Sequence, residues 1–517
     1  MSPIVAIIEG MTKFLWGDLL RIPLPGGSSI GLSLMVLLLI PAGIFYTIRT
    51  RILPLRLFPE MISVLLEKQE GRDAADPASG RLSGMQALIV STATRVGMGN
   101  LVGVVAAISA GGAGAVFWMW VTAIIGASTA FVEATLAQLY KKKDPLYGGY
   151  WGGPAYYIHD FFLKRRIREG ARSEAEIEAQ TEFRGKRNLV SILFAISALI
   201  CWGGISQVIG NSVSSAFENA FRIPPLYSTV VLVAIAAVIV LRKHATAKVL
   251  DLIVPFMAGI YFAMTVFVIV RNIGLLPSVF SRIFAEAFGL RQMVAGGFGA
   301  VLMNGVKRGL FSNEAGSGSA PCAAAAADAS HPVKMGLFQA AGVFIDTLVI
   351  CSCTAFLMLL APQERLANLG GMDLLQTAMQ YHFGRFGVFF IALVLWLFSF
   401  STFLGILFYA HSNIAYLFGA NWGSQFGYKI FALVMLFVGG LAQYSVVWDL
   451  GDVGIGLMTI FNLIVMYPLS KDAITALKDY ERGMKSRRRP ARLQDQVGQS
   501  EIIPPANCNE RIFEGVD

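Results

Sequence analysis

Charged side chains are scarce in this chain: Asp, Glu, Lys and Arg make up 15% of 517 residues, against 55% hydrophobic residues and a mean hydropathy of +0.61. So little polar surface excludes an ordinary water-soluble domain. Short strand-length stretches of alternating polarity are not the dominant pattern, which sets aside an outer-membrane barrel. Cysteines number five, four inside apolar segments (Cys201, Cys322, Cys351, Cys353) and Cys508 in a polar tail. Their spacing suits neither a disulfide framework nor a zinc site, so they read as small apolar filler. No Walker loop, GxSxG elbow, HExxH pair or Rossmann fingerprint occurs in a fitting context, so nucleotide-driven transport and the common enzyme classes lack their motifs. An enzyme is the least favoured class, and no cofactor is expected beyond a co-transported ion.

What the chain has in abundance is apolar runs of the roughly 20 residues that a helix needs to cross a bilayer. Spans are expected near 30–48, 85–111, 114–139, 189–216, 226–241, 250–271, 304–330, 335–361, 387–411, 429–446 and 452–470. The fold class is therefore an all-α polytopic membrane protein with about eleven transmembrane helices. The first run follows Pro23 and Pro25 and has no small-residue cleavage site before Arg49, so it reads as a retained helix rather than a signal peptide.

The net charge of +9 is unevenly distributed among the connections. One alternate set (49–84, 140–188, 242–248, 328–334, 412–430 and the tail) carries 31 Lys and Arg; the other carries eight, or ten with Lys307 and Arg308. The rich set marks the cytoplasmic side, which places the N-terminus outside and the C-terminus inside an inner membrane. The basic tail from Lys471, with Arg487, Arg488 and Arg489, reads as a topology anchor beside anionic lipid rather than a nucleic-acid site.

Two spans break the helical rule at membrane depth. The second carries Thr94, Arg95, Val96, Gly97, Met98, Gly99 and Asn100; the seventh carries Ser312 through Pro321, including Glu314, Gly316, Ser317 and Gly318. An offset of 219 residues, from 95 to 314, aligns Arg-Val-Gly-Met-Gly-Asn with Glu-Ala-Gly-Ser-Gly-Ser, both charge-x-Gly-x-Gly-polar. Five spans follow from 85 and five from 304, and an odd number per repeat turns the second repeat upside down. The expected divisions are an N-terminal segment (1–84), a first repeat (85–271), an outer connection (272–303), a second repeat (304–470) and a tail (471–517). Unwound backbone is tolerated in a membrane only where it lines a polar cavity, and there half-helix N-termini attract carboxylates while exposed carbonyls attract cations. The competing reading is that these glycines only let helices pack closely. Two related motifs at matching places, each with an intramembrane charge, favour the site.

Other polar groups at depth have two readings each. Thr122, Gly126, Ala130 and Ala134 form a small-residue packing stripe. Gln207 and Asn211, four apart, line a cavity or bond between helices. Ser399, Ser401 and Thr402 offer hard oxygens to Na⁺ or bond back to their own helix. Asp346 and Glu133 are buried carboxylates; Asp346 relays a proton, holds Na⁺ or pairs with Arg95.

The stretch GGAGAVFWMWVTAIIG at 111–126 resembles the signature of the bacterial alanine or glycine:cation symporter family, and so do RVGMGN at 95–100, WGGPAYY at 151–157, RGLFSNEAGSGSAP at 308–321 and GVFIDT at 342–347. The resemblance covers about 30–470. It implies the five-plus-five inverted repeat shared with neurotransmitter:sodium symporters, with one extra N-terminal helix. It also implies Na⁺-coupled import of alanine or glycine by alternating access, with membrane lipid as the surrounding partner and no nucleic acid. By the same resemblance Thr94, Arg95 and Gly99 contact substrate and Asn100 holds sodium. The carbonyls of Ala93 and Val96, with the hydroxyls of Ser401 and Thr402, form a second sodium site. Together with Gly97, Gln207, Asn211, Gly316, Ser317 and Gly318 for substrate, and Asp346 as a coupling carboxylate, these are the candidate residues. Two positions depart from the family pattern: Met98 replaces a smaller residue and Ile209 stands where a Gln is usual. Proton coupling, a channel and a non-transporting sensor are the rivals.

Overall fold

Helix starts along the chain coincide with capping side chains and prolines. Ser33, Asn188, His331 and Asn421 each accept a backbone N–H from two or three residues ahead, and prolines occupy the first turn at 225 and 332. The computed structural model describes residues 3–23, 29–66, 82–83, 95, 97–146, 149–169, 187–241, 246–289, 297–367 and 369–487. In chain order the helices longer than four residues are α1 (Pro3–Trp16), α2 (Leu34–Arg49), α3 (Phe58–Leu66), α4 (Gly99–Gly111), α5 (Gly114–Leu139), α6 (Pro154–Glu169), α7 (Leu189–Phe221), α8 (Pro225–Val240), α9 (Thr246–Arg271), α10 (Leu276–Ala287), α11 (Gly297–Asn313), α12 (Ala320–Ala326), α13 (Pro332–Leu359), α14 (Met372–Phe383), α15 (Arg385–Phe418), α16 (Trp422–Leu441) and α17 (Tyr444–Arg487). A hairpin, β1 (Leu20–Pro23) with β2 (Ser29–Leu32), joins α1 to α2.

Among the described residues, six helices are long and apolar enough to cross a membrane, or seven if the α9–α10 pair, bent by 75°, counts as one span. The protein is therefore a mostly helical, polytopic membrane protein. The other expected spans fall on shorter helices (α2, α4, α8) or on a broken one (α11 and α12). From α4 and from α11 onward the elements recur in one order: a helix at a break, a long helix (26 and 28 residues), a short one (α6, α14), a very long one (33 and 34 residues), a shorter one (16 and 20 residues), and another long helix.

The centre is built by close backbone approach. A Cβ on Gly204 of α7 would stand 2.5 Å from Gly451 N of α17, and one on Gly454 would stand 2.4 Å from Cys201 Cα. Only glycine lets these two helices meet so closely. The expected stripe on α5 likewise faces the second break: a Cβ on Gly126 would lie 3.0 Å from the Ala315 methyl.

Most span ends differ from expectation by a few residues, and three of the differences have a visible cause. The first span begins at Leu34 because residues 29–32 pair with β1. The tenth ends at Leu441, earlier than 446, where Ala442 turns extended. The last helix continues from 470 to Arg487, so the start of the supposed polar tail is an ordered arm. Its Ala473, Ala476 and Leu477 are buried, Glu481 pairs with Arg56 at 2.7 Å, and Tyr480 donates to Glu60 at 2.6 Å. An amphipathic extension reads as tail in composition alone because every second or third residue is charged or polar.

Candidate substrate and cation site

The two breaks meet at Gly99 and Ser312. A Cβ on Gly99 would come within 3.3 Å of Ser312 Cα, so a side chain here would push the two segments apart by a few tenths of an ångström. On the first strand of the crossing, Ala93, Thr94 and Val96 lie outside the described residues, while Arg95, Gly97, Met98, Gly99 and Asn100 are described and buried. The backbone from Gly99 to Gly103 then takes a π-helical turn, as does Phe344–Cys351 on α13. Such turns loosen the i→i−4 ladder and frequently mark functional places.

The second break leaves α11 at Asn313. Glu314 adopts φ +57°, a left-handed conformation costly for a residue with a side chain, and Gly316 and Gly318 follow at +97° and +83°. The freed amides do not stand open. Glu133 of α5 accepts from Gly316 N and Gly318 N, each at 3.1 Å. Asn462 of α17 donates to Glu133 Oε1 and to the Gly316 carbonyl, the latter at 3.0 Å, and Tyr157 donates to Asn462 Oδ1. An internal carboxylate therefore occupies the N–H pair that the sequence offers to a substrate carboxylate, and it does so with charge-assisted bonds.

Around the crossing the polar atoms are unevenly satisfied. Ser312 Oγ lies 2.8 Å from both Asn100 Oδ1 and Asp346 Oδ2, and 3.0 Å from Cys351 Sγ. Thr347 donates to Asp346 Oδ2 at 2.9 Å, and Thr354 donates to the Asn100 carbonyl at 2.7 Å. Arg95, 2% exposed, donates through Nη1 to the Gln339 carbonyl at 3.0 Å. A Cβ on Gly342 would stand 2.9 Å from that Nη1. Arg95 Nε and Nη2, Asn100 Nδ2 and Asp346 Oδ1 are buried without a hydrogen-bond partner among the described residues. Unpaired buried polar atoms are rare in native interiors and expensive at this depth. Arg95 interacts electrostatically with Glu133, Glu314 and Asp346, yet no ion pair within 4 Å links it to any of them. The direct Arg95–Asp346 pairing considered from sequence is absent from the geometry.

The remaining candidates divide. Thr402 Oγ1 accepts from Met98 N at 3.0 Å and donates to the Phe398 carbonyl at 2.9 Å, so α15 is tied to the first break; Ser401 Oγ donates to the same carbonyl at 2.9 Å. Ser317 Oγ donates to the Glu314 carbonyl within the second break. Gln207 and Asn211 are elsewhere. Gln207 Nε2 lies 3.7 Å from Met435 Sδ, and Asn211 Nδ2 donates to the Ala442 carbonyl at 2.7 Å. Their shared face of α7 is the one pressed on α16, where Gly439 meets the Gln207 backbone. Sequence reasoning quoted Glu314 and noted Glu133 without assigning either to the site. It also missed Tyr409, which donates to Glu314 Oε2 at 3.3 Å and packs against Trp202. The charge in an aligned motif was the available signal for Glu314; Tyr409 had none.

Residues 27–494 match the sequence profile described as the sodium:alanine symporter family. The chain belongs to that family. This member is thus a membrane transporter of the sodium-coupled amino-acid class. It is similar to the probable sodium/glutamine symporter GlnT of Bacillus subtilis (41% identical over 465 residues, 90% of this chain and 91% of that one). It is also similar to the amino-acid carrier protein AlsT of the same organism (40% over 451 residues, 87% and 89%) and to the sodium/alanine symporter AgcS of Methanococcus maripaludis (31% over 481 residues, 92% and 97%). Among solved structures, a manganese transporter of Eremococcus coleocola aligns at a TM-score of 0.44 with 14% identity, over 78% of this chain and 81% of that one, too slight a likeness to carry an argument.

Proposed function

We propose that this family member imports a small neutral amino acid, alanine or glycine, together with Na⁺, and that both bind where the two breaks cross. The observation that carries the reading is the gathering of partnerless polar atoms there: Arg95 Nε and Nη2, Asn100 Nδ2 and Asp346 Oδ1. Opposite charges are already in place for a zwitterion. The guanidinium of Arg95 takes the α-carboxylate, because Glu133 already holds the second-break amides, and Glu314 with Tyr409 takes the ammonium. Asp346, Asn100 and Ser312 supply hard oxygens suited to Na⁺. A second Na⁺ sits beside Ser401 and Thr402 with the carbonyls of Ala93 and Val96.

The recurring order of elements supports two inverted repeats, 85–271 and 304–470, that rock about the crossing. The N-terminus then lies outside an inner membrane and the C-terminus in the cytoplasm. One Na⁺ contributes about 2.3 kcal/mol per 100 mV and about 1.4 kcal/mol per tenfold gradient, enough for roughly several-hundred-fold accumulation of a neutral solute.

Glutamine is the second reading, because the relative at 41% identity bears the name of a probable sodium/glutamine symporter. Uptake of labelled alanine, glycine and glutamine into proteoliposomes, with a Na⁺ gradient or a pH gradient alone, decides between them. Strict Na⁺ dependence in the wild type and its loss in Asp346→Asn is the expected outcome. Uptake driven by pH alone, or an Asp346→Asn variant with unchanged Na⁺ activation, contradicts the sodium assignment.

A further inference from the structure

The π-turn that contains Asn100 diverts the usual partner of its carbonyl. In a regular α-helix that oxygen accepts the Val104 N–H, which here goes to the Leu101 carbonyl instead. Thr354 of α13 takes the vacated place, donating from Oγ1 to the Asn100 carbonyl at 2.7 Å. The Ile350 carbonyl, in the same helix as Thr354, lies 3.5 Å away, so the shorter bond holds the proton. A hydroxyl has one proton to give. Tyr261 of α9, whose hydroxyl oxygen lies 2.8 Å from Thr354 Oγ1, is therefore the donor in that contact. The bonds run one way, from Tyr261 to Thr354 to the backbone of Asn100, and all three residues are 0% exposed. Tyr261 is itself fixed, its ring standing edge-on to Phe398 of α15 at 5.9 Å between centroids. At the far end Asn100 presents Oδ1 to Ser312 at 2.8 Å, and Ser312 Oγ reaches Asp346 Oδ2 at the same distance.

We propose that Tyr261 and Thr354 are positioning residues for sodium: without ligating the ion, they hold the π-turn open and so keep the Asn100 side chain beside Ser312 and Asp346. This rests on the reading of Asn100 and Asp346 as sodium ligands. Removal of Thr354 Oγ1 leaves the Asn100 carbonyl unpaired at membrane depth, a state relieved by recovering the Val104 N–H. That recovery closes the turn toward α geometry and swings the Asn100 side chain away from Ser312. Three helices far apart in sequence thus set the aim of one amide.

Equilibrium binding of radioactive Na⁺ to the full-length protein in detergent tests this. Thr354→Val should raise the Kd for Na⁺ about tenfold, the effect of one carbonyl left unpaired, and Tyr261→Phe roughly threefold, with the amount bound at saturation unchanged. Thr354→Ser keeps the hydroxyl and should bind like the wild type. Equal weakening by Ser and Val at 354 would show that packing, not the hydrogen bond, matters, and overturns the proposal. If Thr354→Val does not fold, Tyr261→Phe, which removes one buried oxygen, decides alone: an unchanged Kd refutes the chain. Asn100→Ala and Asp346→Asn report on the underlying reading. Should they weaken binding while Thr354→Val and Tyr261→Phe do not, the positioning role fails and the sodium site stands; a wild type that binds no Na⁺ removes both.

Discussion

Single side chains in this protein decide whether unwound backbone is tolerable, and their neighbours decide their charge. Lys141, just past the end of α5, donates to the Ala327 carbonyl at 3.0 Å and to Gln138 Oε1 at 2.9 Å, so it caps the C-terminal end of α12. Burial pushes its ammonium from 10.5 down to about 8, with Asp328 acting in the opposite direction. A base whose pKa falls on folding burdens the folded state while both states are protonated, and the burden lifts as pH rises from about 8 toward 10.5. The unfolding temperature of the wild type should therefore gain on that of Lys141→Met between pH 7.5 and roughly 10; a constant difference across that range would contradict the assignment. At this scale sequence was legible only where a residue lies inside its own motif. Arg95 and Asn100 were marked that way, and Thr402 only by its hydroxyl in an apolar span and by the family resemblance. Glu133 was seen as a buried carboxylate but its partners, Gly316 and Gly318, lie 183 and 185 residues away, a separation that no spacing rule reports.

Among the elements, the break after α11 is the most exacting, since its amides must be satisfied without water. Glu133→Ala should remove acceptors from both Gly316 N and Gly318 N and cost roughly 3 kcal/mol or more, whereas Glu133→Gln keeps one carbonyl oxygen and should lose about half as much. Thermal unfolding in detergent measures both, and an alanine variant as stable as the wild type would show that Glu133 does not hold the break. The long apolar helices were well marked in sequence, because apolar length is a strong signal, whereas α1, α3, α6, α10 and α14 were not expected; α5 begins and ends at the expected residues, 114 and 139. Element ends were not. The arm beyond 470 is held by Arg56, Glu60 and Tyr140, contacts contributed by distant segments that hydropathy cannot register.

For the molecule as a whole, the two broken spans are also tied at one end. Leu82 and Ser83 pair in parallel with Ala327 and Asp328, joining the entry of the second span to the exit of the seventh. If the repeats rock, this pairing must open. A disulfide between Ser83→Cys and Asp328→Cys, at facing register positions, should abolish uptake under oxidising conditions and restore it on reduction. Uptake that persists in the fully cross-linked protein would rule out separation of these ends. The 219-residue offset related the two motifs in sequence, and the segments that carry them approach at Gly99 and Ser312. Which atoms would be left without partners was not, because that depends on how four helices meet.

The very different lengths of neighbouring helices have a consequence for the surrounding lipid. At 1.5 Å per residue, the 33 residues of α7 reach about 50 Å, well beyond a hydrocarbon core of about 30 Å, while the 16 residues of α8 reach only about 24 Å. On α8, Tyr227, Val231 and Val238 are 57–64% exposed and so face lipid directly. Next to that short helix the bilayer thins or flanking side chains reach out to the interface, and beside the long ones it thickens or the helices tilt. The carrier thus imposes an uneven thickness on its own annulus, and acyl-chain length becomes a variable of its transport cycle alongside voltage and sodium.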